Sequence, residues 1–154
     1  MNKSTIIALI ASIIGFIDSA YLTYVKFTHT TIYCTPGLGD CATVQNSQWS
    51  TLWGIPVALM GVIAYLILIV SYIVESRSHT LQSYANWTIY GISFFGFLYS
   101  LYLTVLELFV IRASCQWCIL SAICMTIIFI VTIVRLSNQQ KRAKPQEDFI
   151  HAKD

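Results

Sequence analysis

Four long apolar runs constrain the fold of this chain more than any other feature of its sequence. The runs cover about residues 5–27, 57–75, 88–111 and 117–136. A helix needs about 20 apolar residues to cross the hydrocarbon core of a bilayer, and each run is about that long. Only 10% of the 154 residues are charged, whereas soluble domains have about 25%. The runs therefore predict an all-α integral membrane protein, with a bundle of four transmembrane helices in residues 1–136.

The distribution of lysine and arginine predicts how the helices are oriented. Four spans place both termini on one side, which then holds seven basic residues against two on the other side. The seven are Lys3, Arg77, Arg135, Lys141, Arg142, Lys144 and Lys153, and the two are Lys26 and Arg112. Because basic residues accumulate on the cytoplasmic side, we expect a multi-pass cell-membrane protein with both termini in the cytoplasm. Residues 28–56 and 112–116 then face outward, and residues 137–154 form a cytoplasmic polar tail. The net charge of +2 gives no reason to expect a nucleic-acid partner.

The cysteines are concentrated on the predicted outer side. Cys34 and Cys41 lie in the first outer loop, and Cys115 and Cys118 form a C-x-x-C at the start of the last span. Cys124 lies inside that span, where we expect a small buried residue. Disulfides persist in the outer compartment, and the free N–H groups and dipole of a helix N-terminus stabilise a thiolate. The C-x-x-C is therefore interpreted as a reactive dithiol.

The loop between Cys34 and Cys41 contains a proline and two glycines, and we expect it to be mobile. Such a pair is able to alternate between an external partner and the C-x-x-C. On the residues alone, two alternatives stay open. The cysteines are also compatible with two structural disulfides, or with a four-cysteine zinc site.

Three motifs in combination resemble a known family. They are the loop cysteine pair, the segment VQNSQWSTLWGIPVALMG at 44–61 and the segment YLTVLELFVIRASCQWC at 102–118. Together they resemble the vitamin K epoxide reductase family over about residues 10–136, most closely the bacterial homologues that oxidise thiols with membrane quinone. The resemblance implies a four-helix bundle whose quinone pocket is capped by a short outer-face helix and loop. The quinone would be of the menaquinone, ubiquinone or vitamin K type.

The resemblance also implies an electron path through the four outer cysteines, which are the expected catalytic residues. Cys34 would exchange with a thioredoxin-like (DsbA-like) partner, and Cys41 with Cys115. Cys118 would face the ring of the lipid quinone. Many bacterial relatives carry a fused thioredoxin-like domain, whereas this sequence ends in a short tail, so we expect a separate partner.

Two further residues are predicted to bind the quinone. Ser47 matches the family serine in the short helix across the bundle mouth, and Trp117, between the two cysteines of the C-x-x-C, is a candidate to stack on the ring. Vertebrate enzymes have a tyrosine four residues after the second cysteine of the C-x-x-C, where this chain has Ala122. This departure argues against epoxide reduction.

These observations predict a membrane thiol:quinone oxidoreductase that supports disulfide formation in exported proteins. Two alternatives are kept: a vitamin K epoxide or quinone reductase of an endoplasmic-reticulum membrane, and a non-enzymatic scaffold stapled by disulfides. The DsbB type, another quinone-linked four-helix family, has its C-x-x-C before the loop pair, which is the reverse of the order here. Asp18 and Glu107 lie in or near the membrane, where charges are costly. Each is either a proton donor for quinone reduction or a neutral, hydrogen-bonded structural carboxyl, and we favour the structural role for both.

Overall fold

The computed structural model describes residues 3–28, 30, 32–34, 40–52, 54–77 and 82–151, with side chains omitted for 82, 83 and 139–151. The long helices are α1 (Lys3–Thr28), α3 (Val57–Arg77), α4 (Gln82–Val105) and α5 (Gln116–His151), and α4 continues into a π-helix at Leu106–Ile111. The short elements are helix α2 (Cys41–Asn46), a 3-10 turn (Gln48–Ser50) and strands β1 (Thr51–Leu52) and β2 (Ile55–Pro56).

The predicted four-helix membrane bundle is confirmed. The helices long and apolar enough to cross a membrane are Lys3–Thr28, Val57–Arg77, Tyr84–Ile111 and Gln116–Asn138, close to the predicted boundaries. Helix α1 packs against α3 and α5, and α4 packs against the same two helices, so α1 and α4 lie on one diagonal of the bundle. Many outward-facing side chains are apolar, such as Ile10 and Ile17, as expected for helices surrounded by lipid.

One half of the bundle is filled with side chains. This half lies towards the start of α1, and its core consists of Ala8, Ala11, Tyr65, Leu68, Tyr72, Ile89, Met125 and Ile128. Gly15 allows the Tyr65 ring to lie against α1, since a Cβ at position 15 would be 2.3 Å from Tyr65 Cζ. The Tyr65 hydroxyl in turn donates to the Ser121 carbonyl at 3.0 Å, which links α3 to α5.

The other half ends where Cys41 and Cys115 lie, and we call this the cysteine end. It is covered by a cap made of α2, the 3-10 turn and the β1–β2 hairpin. Asp40 caps the N-terminus of α2 by accepting a hydrogen bond from the Thr43 N–H at 3.1 Å. The Lys26 ammonium, near the end of α1, donates to the Gln45 carbonyl and to the Ser50 hydroxyl, the latter at 2.8 Å. The predicted short helix and loop at the bundle mouth are therefore present, and Lys26 fastens them to the bundle.

Candidate active site at the cysteine end

Two cysteine pairs that are far apart in sequence meet at the cysteine end of the bundle. Cys34 and Cys41 form a disulfide with a Cα–Cα distance of 6.3 Å, while Cys115 and Cys118 are free thiols. Cys41 and Cys115 are almost fully buried in one cluster with Val44, and Cys34 and Cys118 pack against that cluster. The predicted mobility of the loop concerns residues 35–39, which lie outside the described residues.

Cys115 occupies the N-cap position of α5. It directly precedes α5, and its carbonyl accepts the Ile119 N–H at 3.0 Å. The pKa of Cys115 is lowered, chiefly by a hydrogen bond from the Cys118 thiol and further by the backbone N–H groups of Cys118 and Trp117. Burial and the nearby Glu107 carboxylate raise the same pKa by less. The expected helix-terminus stabilisation therefore acts on Cys115, which is the preferred thiolate of the pair.

Cys124 does not belong to this group. It is buried on α5, 4% exposed, in the neighbourhood of Asp18, and its predicted role as a small buried residue is consistent with this position. Asp18 differs from expectation, because both of its carboxyl oxygens are buried without a hydrogen-bond partner among the described residues. The interpretation of Asp18 as a hydrogen-bonded carboxyl is therefore wrong.

Glu107 is part of the site, although a structural role is the interpretation favoured from its sequence context. Its carboxylate is 6% exposed and accepts the Cys115 N–H at 3.3 Å. The same carboxyl is near the Cys118 thiol, and both line the cavity described below. The local backbone explains this placement: the π-helix ends at Arg112, which is left-handed with φ 55°, and Arg112 and Ala113 both donate their N–H groups to the Glu107 carbonyl. An acidic residue in an apolar span was the available signal, but the turn that brings it to the cysteines has no clear sequence signature.

A cavity of about 610 Å³ lies between the helices beneath the cap. This volume is in the range of small-molecule sites. Small residues from α3 and α4 line it, namely Ala58, Gly61, Ala64, Gly91 and Gly96, and at Gly91 a Cβ would meet nothing within 4 Å. The polar groups on its wall include Ser47, Glu107 and Cys118. Cys118 thus lies on the cavity wall, whereas Cys115 lies in the cluster with Cys41, and the C-x-x-C connects the disulfide to the cavity.

Ser47 has the position but not the free hydroxyl that its predicted role requires. It lies between α2 and the 3-10 turn and lines the cavity. Its hydroxyl already donates to the Val44 carbonyl at 2.7 Å. Donation to a molecule in the cavity therefore requires this bond to break.

Trp117 contacts the segment that carries Cys34 and is not among the described residues that line the cavity. Its ring packs against Tyr21, with 4.9 Å between ring centroids, and its Nε1–H donates to the Tyr33 carbonyl at 3.0 Å. The side chain is therefore turned towards the segment that carries Cys34, beside the cap and away from the cavity wall. The stacking of Trp117 on the quinone stays a prediction.

The chain is similar to known proteins over most of its length. The family model described as "Vitamin K epoxide reductase family" matches residues 6–133. The chain is 28% identical over 130 residues to the "Thiol-disulfide oxidoreductase LTO1" of Arabidopsis thaliana, a match covering 80% of this chain and 34% of that relative. The chain thus spans about a third of the length of this relative. With a family match that includes both cysteine pairs and all four spans, the chain belongs to the vitamin K epoxide reductase family.

Proposed function

We propose that this chain is a membrane thiol:quinone oxidoreductase, which takes electrons from a thioredoxin-like redox partner and passes them through two cysteine pairs to a lipid quinone. One observation carries the proposal. The C-x-x-C has its first sulfur beside the Cys34–Cys41 disulfide and its second on the wall of an apolar cavity. A stapled scaffold gives no reason for a free dithiol to link these two places.

The first stage is thiol–disulfide exchange at the cap. Cys34 is half-buried next to Tyr33, which is 73% exposed, so Cys34 is the disulfide sulfur nearer to an outside partner. A partner thiolate attacks Cys34 and releases Cys41, and the partner leaves with its own disulfide. Cys41 then attacks Cys115 of an oxidised C-x-x-C. When Cys34 attacks Cys41, Cys115 leaves as a thiolate, and a lowered leaving-group pKa makes this step faster.

The first stage ends with the electrons on the C-x-x-C. The loop pair is oxidised and the C-x-x-C is reduced. The two thiols of the C-x-x-C then form a disulfide and give up two electrons and two protons. A quinone supplies the electron acceptor for this step and leaves as the quinol.

The cavity fits a quinone by size and by chemistry. Its wall is mainly apolar, and Ser47, Glu107 and Cys118 provide polar groups at the cysteine end. A lipid quinone matches this wall, because its ring carries polar oxygens and its tail is apolar. Ser47 would donate a hydrogen bond to a ring oxygen as that oxygen gains charge.

We propose an orientation with the cysteine end outside and both termini in the cytoplasm. It is supported by the excess of lysine and arginine on the opposite side, as the positive-inside rule requires. The product is then disulfide bonds in exported proteins. A membrane-impermeant thiol reagent tests this orientation: it labels reduced Cys34 in intact cells. Labelling that requires opening of the inner face contradicts it.

The activity itself is tested with purified protein, a reduced thioredoxin-like donor and a soluble quinone. We expect quinol to form only when all three are present, with one quinol per donor disulfide. Oxidation of the donor at the same rate without quinone contradicts the proposed acceptor. Absence of donor oxidation under all conditions contradicts the proposed function as a whole.

A further inference from the structure

We propose that Glu107 is a catalytic proton carrier, which accepts the proton of the Cys118 thiol and passes it to the substrate in the cavity. This inference rests on the proposed thiol:quinone function. It follows from one juxtaposition: a buried carboxyl binds the backbone of the C-x-x-C and lines the same cavity as Cys118.

Three observations define the position of Glu107. Its Oε2 accepts the Cys115 N–H at 3.3 Å. The carboxyl is near the Cys118 thiol. Both Glu107 and Cys118 line the cavity. The group is thus within reach of the proton donor and of any acceptor bound against Cys118.

Stability alone gives a poor account of this carboxyl. It is 6% exposed, and no basic side chain among the described residues forms an ion pair with it. A buried carboxyl without a cation is costly, and one hydrogen bond from a backbone N–H offsets only part of that cost. A glutamate kept in such a place is typical of a functional group.

Few other titratable groups surround Glu107. Cys115 and Cys118 face it from the start of α5. Helix α2 packs against the π-helix, and its one titratable residue, Cys41, is held in the disulfide. Helix α4 brings Tyr99 to the cavity, and phenols ordinarily ionise near pH 10. A pH effect near neutrality that depends on Glu107 therefore reports on the carboxyl and the two thiols.

The protons and electrons balance through this route. Formation of the Cys115–Cys118 bond releases two electrons, and the quinone takes up two electrons and two protons. Glu107 transfers the proton of Cys118 and returns to its starting state after each turnover. The second proton reaches the quinol from solvent, to which Cys115 released one on forming its thiolate.

A purely structural role for Glu107 is the alternative, because its bond to the Cys115 N–H orders the turn before α5. Glu107→Gln separates the two roles. The amide keeps an acceptor oxygen for that N–H but cannot carry a proton. Glu107→Asp keeps a carboxyl on a shorter side chain.

The test is single-turnover quinol formation by pre-reduced protein over a range of pH, with exchange between Cys34–Cys41 and a dithiol donor measured in parallel. General acid–base catalysis typically contributes 10²–10⁴-fold, so we expect Glu107→Gln to slow quinol formation about a hundredfold near neutral pH. The deficit narrows as the pH rises, because hydroxide then removes the thiol proton without the carboxylate. Exchange at Cys34–Cys41 stays at the native rate, and Glu107→Asp recovers the native shape of the pH profile.

Asp18→Asn is the matched control, because Asp18 is an equally buried span carboxyl that touches neither thiol of the C-x-x-C. We expect its pH profile to be native. A native rate in Glu107→Gln at every pH overturns the inference and leaves the proposed function intact. A slowing that is equal at all pH values and shared by exchange, or loss of the fold in both Glu107 variants, assigns a structural role and also overturns it. If the native protein forms no quinol, the proposed function fails and this inference fails with it.

Discussion

Replacement of Ser47 by alanine tests whether the cap takes part in quinone reduction. Ser47 lines the cavity on the cap side, and its hydroxyl donates to the Val44 carbonyl at 2.7 Å. To donate to a quinone oxygen, the hydroxyl must leave Val44. Alanine removes the hydroxyl and changes little else at this half-buried position.

The structure sets the size of the expected effect. A donor in a desolvated site contributes about 3 kcal/mol to stabilisation of developing charge. Loss of the existing neutral hydrogen bond to Val44 costs about 1 kcal/mol. The difference of about 2 kcal/mol corresponds to a rate loss of about thirtyfold, since each 1.36 kcal/mol is tenfold.

The assay is single-turnover quinol formation by pre-reduced Ser47→Ala, with exchange between Cys34–Cys41 and the donor as an internal control. Ser47→Thr is the matched variant, because threonine keeps a hydroxyl on the same backbone, and we expect it to retain most of the native rate. A native rate of quinol formation in Ser47→Ala refutes the proposed hydrogen bond. Equal losses in quinol formation and in exchange refute it too, because they indicate a disturbed cap.

Three further predictions follow from the site. The lowered pKa of Cys115 depends first on the Cys118 thiol, so thiolate absorbance, with the other cysteines replaced, titrates at higher pH in Cys118→Ala. Cys118→Ser keeps a hydrogen-bond donor, so its Cys115 titration midpoint stays closer to the native one. Equal titration midpoints in Cys118→Ala and Cys118→Ser contradict the cause assigned to the lowered pKa. Cys34→Ala removes the resolving thiol, so Cys41 stays linked to Cys115 after attacking a C-x-x-C that quinone has oxidised; non-reducing peptide mapping then shows a Cys41–Cys115 bridge, and finding Cys41 always free contradicts the exchange order. Gly91→Leu fills the cavity, since a Cβ at position 91 meets nothing within 4 Å; we expect a higher KM for quinone with unchanged exchange, and an unchanged KM places the quinone elsewhere.

The bundle was predictable because its signals are local. The length of each apolar run determines a membrane helix, whatever the neighbours are. The cysteine pairs were predictable for a similar reason, since the C-x-x-C lies at a recognisable helix start. Local signals do not predict what each small residue does, as Ala58 and Gly61 show. Gly61 meets Ser19 closely, as small residues in a span suggest, while Ala58 lines the cavity. Hydropathy does not distinguish a small residue that permits close packing from one that leaves a space.

The contacts of the site were less predictable because they depend on side-chain direction and on rare backbone shapes. Successive helix residues are about 100° apart, so Trp117 is directed towards Tyr21 while Cys118 is directed into the cavity. Glu107 reaches the cysteines through a π-helix and a left-handed Arg112. Such π-helical turns are rare and often occur at functional sites, but no short motif predicts one.

The central claim is that Cys118 is the point at which electrons leave the protein, and Cys118→Ala tests it most directly. Cys118 lies on the cavity wall, and Cys115 lies beside Cys41. Steady-state quinol formation with a dithiol donor and a soluble quinone is measured together with reduction of Cys34–Cys41 by the same donor. We predict that quinol formation is abolished while the donor still exchanges with Cys34–Cys41 at the native rate. Sustained quinol production by Cys118→Ala would contradict the electron path proposed here.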